Sequence, residues 1–73
     1  MTDPLKSLLI VDDDTVYRQR LAMAMEKRGF AVRQAESVAA GIAAAKSEAP
    51  HYAVVDLRLT DGSGLDIVTE LRH

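Results

Sequence analysis

With 73 residues and a formal net charge of −2, the chain is one small domain or part of one, and it lacks the basic face that a nucleic-acid partner requires. It has no cysteine, which excludes disulfide scaffolds, thiolate metal sites and thiol catalysis. No run approaches the roughly 18 apolar residues of a membrane span, so the expectation is a soluble, cytoplasmic chain with no membrane partner.

Met1 to Ser7 carries one Pro and one Lys, and the apolar run behind it is too short for a signal-peptide core. That run, Leu8-Leu9-Ile10-Val11, does not alternate and stops at Asp12-Asp13-Asp14. An unalternated run of this kind predicts a strand buried on both faces, as in a parallel sheet covered by helices. Thr15 to Arg28 has no Gly or Pro and is rich in strong helix formers. Asp14 or Thr15 can cap this helix, Gly29 stops it, and Val16, Tyr17, Leu21, Ala24 and Met25 are its expected apolar stripe. Tyr17 and Phe30 are expected to pack, Met23 and Met25 to lie in the core or at an interface, and Arg18 and Arg20 on a solvated face.

Phe30 to Gln34 reads as a second, more exposed strand, and Ser37 as the N-cap of an Ala-rich helix over Val38 to Ala49 that Pro50 closes. Gly41 weakens that helix by about 1 kcal/mol relative to Ala, which points to close packing or to tolerance. Tyr52-Ala53-Val54-Val55-Asp56 repeats the opening theme of an apolar run ending in an acid. Asp61-Gly62 is a turn signal within Leu57 to Ser63, and Leu65, Val68 and Leu71 are spaced for a third helix. The loop Asp61-Gly62-Ser63-Gly64 has neither the spacing nor the following lysine of a phosphate-cradling loop and reads as a plain turn. His51 and His73 are expected to be solvated.

Strand alternating with helix three times predicts an α/β fold with right-handed crossovers. If the first and third strands are neighbours, with the second outside the first, the chain reverses direction between them and leaves a crevice at their carboxyl ends. Asp12, Asp13 and Asp56 then converge. Oxygen-only ligands with several carboxylates suit Mg²⁺, and a carboxylate beside such an ion can attack a phosphoryl group to form an acyl phosphate. Two plainer readings stand beside this one: a solvated strand-end turn for Asp12 to Asp14, and a local Asx-type turn for Asp56.

The run LLIVDDD, its separation from VVDLRL, and the DGSGLDIV that follows resemble the receiver domain of two-component response regulators, most closely the redox-responsive RegA/PrrA/ActR group. The resemblance covers the chain but only about the first three βα units of a five-unit fold, so residues 1–73 are expected to form a partial, flavodoxin-like receiver (βαβαβα) with strand order 2-1-3 and the C-terminal half missing. It implies that Asp56 is the phosphorylated residue, that Asp12 and Asp13 are the metal-binding pair, and that the backbone carbonyl of Arg58 completes the Mg²⁺ shell. It further implies a sensor histidine kinase as phosphodonor, docking partly on the helix Val16 to Arg28, and a signalling module rather than an enzyme.

Thr60 stands where many receivers have Pro, while Gly64 is retained. The fourth-strand Thr or Ser and the fifth-strand Lys have no counterpart before His73, and Lys6, Lys27 and Lys46 lie before the first strand or on the first two helices. Loss of the last two strands would leave Tyr52 to Val55 as an apolar edge, so the chain is expected to pair with a second copy in a homodimer around the third strand, or otherwise to be only partly folded alone. Three functions remain open from the sequence: a phosphoacceptor module, a non-switching module that binds the kinase, and an inert self-associating α/β fragment.

Overall fold

In the computed structural model, which describes residues 5–72, the elements are β1 (Ser7–Val11), α1 (Thr15–Lys27), β2 (Ala31–Ala35), α2 (Val38–Ser47), β3 (Tyr52–Val55), β4 (Arg58–Leu59), β5 (Gly62–Ser63) and α3 (Gly64–Leu71). His73 lies outside the described residues. The first three strands form a parallel sheet in the order β2-β1-β3, the order that the receiver resemblance implies.

Why β1 is central follows from its residues. Leu8, Leu9, Ile10 and Val11 are all 2% exposed or less, because side chains alternate faces and both faces are covered. Leu8 and Ile10 meet Ala22 of α1, with Leu21, Met25, Phe30 and Val32 packed around them. On the other face, Leu9 and Val11 join Ala35, Val38, Ala45, Leu59 and Ile67. Gly41 belongs to this second layer: a β-carbon there would lie 2.7 Å from Ile67 Cδ1 and 3.2 Å from Val11 Cγ2. Close packing, not tolerance, is therefore why α2 carries a glycine.

Helix α1 ends in a Schellman motif. Gly29 has φ +95°, its N–H donates to Glu26 O at 3.0 Å, and the Phe30 N–H donates to Met25 O at 3.2 Å. Asp14 caps the other end, its side chain accepting from the Tyr17 N–H at 3.0 Å. The buried stripe of α1, however, runs through Arg18, Leu21, Ala22 and Met25, while Val16, Tyr17, Met23 and Ala24 are exposed. The expected stripe is thus rotated, the expectations that Tyr17 packs and that Arg18 is solvated are corrected, and Met23 lies outside the core. Arg18 can lie beneath the helix because its guanidinium finds two acceptors there, a possibility that a count of apolar residues does not register.

Two further segments differ from the sequence reading. Leu57 to Ser63 contains a hairpin, with Arg58 opposite Ser63 and Leu59 opposite Gly62, and Leu59 anchors it in the core. Strand β3 is apolar yet exposed at Tyr52 (49%) and Val54 (43%), because α1 lies over β1 and β2 and leaves that side of β3 uncovered. His51 is exposed as expected, but its Nδ1 accepts from the Ser7 N–H at 2.9 Å, which ties the entrance of β3 to β1.

Candidate functional site

Register brings the acids together. Val11 pairs with Val55, and the Asp56 N–H donates to Val11 O at 2.8 Å, so the ladder carries Asp56 alongside the end of β1. On the opposite side the Asp12 N–H donates to Ala35 O at 3.1 Å. The result is that Asp12, Asp13 and Asp56 each offer a carboxylate oxygen within 4.8 Å of the others, with Asp12 and Asp56 half-buried and Asp13 exposed. The three acids lie at the carboxyl ends of the strands, where the chain reverses direction between β1 and β3.

Local turns and convergence coexist here. Asp12 Oδ1 accepts from the Asp14 N–H at 2.9 Å, and Asp56 Oδ1 accepts from the Arg58 N–H at 3.0 Å, an Asx-type turn. These bonds fix each carboxyl group in rotation, and the second oxygen of each has no protein hydrogen bond among the described residues. Arg58 thus reaches the site through its backbone, with its side chain exposed. Asp14 is engaged as the helix cap.

Gly64 packs directly against the Asp56 main chain. A β-carbon there would overlap the Asp56 carbonyl oxygen and lie 2.8 Å from Val55 Cγ1, so the first turn of α3 can approach the Asp56 backbone only without a side chain.

The donor set fits a hard divalent cation. It offers oxygen only, from three converging carboxylates. The one ion pair among the described residues, Lys46 Nζ to Glu70 Oε1 at 4.0 Å, involves none of the three acids, so no side-chain cation within that distance neutralises them.

Two residues that shape this end of the molecule escape a motif-based reading. Asp61 in the β4–β5 turn accepts from the Val38 N–H at 2.8 Å and the Ala39 N–H at 3.1 Å. Those two bonds, Val38 first, hold its carboxyl below the usual carboxylate range against a smaller desolvation effect. Arg18, 8% exposed, donates from Nη1 to the Asp12 carbonyl at 2.8 Å and from Nε to Gln34 Oε1 at 3.1 Å. Asx-turn chemistry at Asp61-Gly62 could have flagged the first; nothing in the hydropathy pattern marks the second.

A family model described as the response regulator receiver domain matches residues 8–73. The acid tolerance regulatory protein ActR of Rhizobium meliloti is 67% identical over 69 residues, covering 94% of this chain and 36% of that protein. The photosynthetic apparatus regulatory protein RegA of Rhodovulum sulfidophilum is 65% identical over 67 residues, covering 92% of this chain and 37% of that protein. The chain therefore spans little more than a third of the length of these relatives. A crystal structure of a response regulator from Burkholderia pseudomallei, with a phosphorylated aspartic acid, a calcium ion and citrate, superposes with a TM-score of 0.85 at 38% identity, covering 90% of this chain and 39% of that one.

Proposed function

The chain belongs to the response regulator receiver domain family, and from that membership we propose that it takes a phosphoryl group from a sensor histidine kinase onto Asp56. Residues 1–73 then form part of one receiver domain, cytoplasmic and without direct nucleic-acid contact. Its Mg²⁺ is held by Asp12, Asp13 and Asp56 and by the backbone carbonyl of Arg58. One observation carries the reading: carboxylate oxygens from the ends of two different strands lie within 4.8 Å of one another, with no side-chain cation among the described residues paired to them.

The chain's own residues account for the chemistry as follows. A divalent ion, when bound, neutralises the charge that builds on the transferring phosphoryl oxygens. Asp56 is the nucleophile: one carboxylate oxygen forms the new P–O bond, while the P–N bond to the donor imidazole breaks and its electron pair stays on the imidazole. The Arg58 N–H holds the other oxygen, so the carboxyl does not rotate during attack. Asp12 and Asp13 supply negative charge to the ion without themselves reacting. The protein is the acceptor in this reaction, consistent with a signalling module.

Incubation with acetyl phosphate and Mg²⁺, followed by intact-mass measurement, tests the proposal. A single added phosphoryl group that is absent in Asp56→Asn is the expected result, and labelling that survives the substitution refutes it. As a partner beyond the kinase, a second copy is proposed to add to the open edge of β3, where Tyr52 and Val54 are exposed.

A further inference from the structure

Arg18 is the one buried charged side chain among the described residues. Burying a guanidinium is costly, and an apolar residue at the same helix position would be buried at less expense. No carboxylate lies within ion-pairing distance of it among the described residues, although three acids gather at the same end of the sheet. Its partners are instead two neutral oxygens, the Asp12 carbonyl at 2.8 Å and Gln34 Oε1 at 3.1 Å.

The Asp12 carbonyl explains why. Pairing between β1 and β2 ends at Val11 with Ala35, and Asp12 adds one more bond through its N–H to Ala35 O. Beyond that point the Asp12 carbonyl has no strand partner. Arg18 Nη1 takes the place of the missing donor, and Gln34 on β2 holds the guanidinium at its Nε. The peptide so held is the one that joins Asp12 to Asp13. Together with the Asp14 N–H on Asp12 Oδ1, this fixes the direction in which both acids leave the strand end.

We propose that Arg18, braced by Gln34, is a positioning residue for the cation site: it locks the Asp12–Asp13 peptide so that the two carboxylates converge with Asp56. The inference rests on the divalent-cation reading given above. It also has a sign that charge alone would reverse, since a buried cation near the site repels Mg²⁺. If Arg18 acted only through its charge, removing it would tighten Mg²⁺ binding; as a positioning residue, its removal weakens binding.

The test is Mg²⁺ titration of the full chain, followed by amide shifts in heteronuclear NMR at a temperature where every variant is folded. Arg18→Met is expected to raise Kd about 10–100-fold, the range seen when groups that orient metal ligands are lost. Arg18→Lys, which retains a donor but not the fork, is expected to fall between Arg18→Met and wild type. Gln34→Ala, an exposed position that leaves α1 packing intact, is expected to raise Kd in the same direction and serves if Arg18→Met does not fold. Met25→Ala, which loosens the same helix at its other end, is expected to leave Kd unchanged. Unchanged or tighter binding in both Arg18→Met and Gln34→Ala overturns the proposal while leaving the cation site in place. No saturable binding by the wild-type chain overturns both.

Discussion

Replacing Gly64 with Ala perturbs the site through its scaffold and leaves every ligand present. The added β-carbon overlaps the Asp56 carbonyl oxygen and stands 2.9 Å from the Asp56 carbonyl carbon and 2.8 Å from Val55 Cγ1. Val55 can turn its side chain, but the carbonyl is main chain, so restoring an ordinary contact requires α3 and the end of β3 to separate by roughly 1 Å. Overpacking of this kind costs about 1–3 kcal/mol, and loss of glycine's freedom in the unfolded chain returns about 0.4–1 kcal/mol. At the middle of both ranges the net loss is about 1.3 kcal/mol, equivalent to a fall of about 5–10 °C in Tm for a domain of this size. The segment that moves carries Asp56, so Mg²⁺ affinity should fall about tenfold or more. Gly41→Ala is the control: its β-carbon meets the ends of Ile67 and Val11, side chains that can yield, on the core side of α2. It should lower Tm by a comparable or smaller amount without changing Mg²⁺ affinity. Thermal unfolding by circular dichroism and Mg²⁺ titration by NMR read both quantities. An unchanged Tm and an unchanged affinity in Gly64→Ala would refute the reasoning.

Asp61 ties the β4–β5 turn to α2, and its lowered carboxyl pKa makes that tie dependent on pH. A group whose folded pKa is depressed stabilises the fold above its unfolded value, near pH 4, and loses that contribution as pH falls through the folded value. Asp61→Asn should therefore lower Tm at neutral pH and flatten the acid limb of the Tm profile; a parallel profile would contradict this. Val54→Lys places a charge beside the open β3 edge and should shift the chain from dimer to monomer in sedimentation velocity at micromolar concentration. A monomeric wild-type chain would rule out that edge as an interface.

Much of this architecture was legible because its signals are local and chemical. The unalternated Leu8-Leu9-Ile10-Val11 run identifies the central strand, Gly29 and Ser37 mark helix ends, and the acids at two strand ends converge once the order β2-β1-β3 is assumed. The missed features depend on partners distant in sequence. Arg18 reads as solvated until the unpaired Asp12 carbonyl is seen beside it. Asp61 reads as a turn residue until the start of α2, 22 and 23 positions earlier, supplies its N–H groups. For β3 periodicity reports only apolar content, whereas the exposure of Tyr52 and Val54 depends on which strands α1 covers. Arg33 belongs with these: its guanidinium donates to Ala44 O at 2.9 Å and to Glu48 O, holding the end of α2 against β2.

Titration with Mn²⁺ as a paramagnetic stand-in for Mg²⁺ probes the meeting of the three carboxylates without requiring phosphorylation. Amide signals of Asp12, Asp13, Asp56 and Arg58 should broaden first and together, and excess Mg²⁺ should restore them. Broadening that begins instead at Glu36, Asp61 or Asp66, or that persists unchanged in Asp13→Asn, would mean that the acids of β1 and β3 do not share an ion.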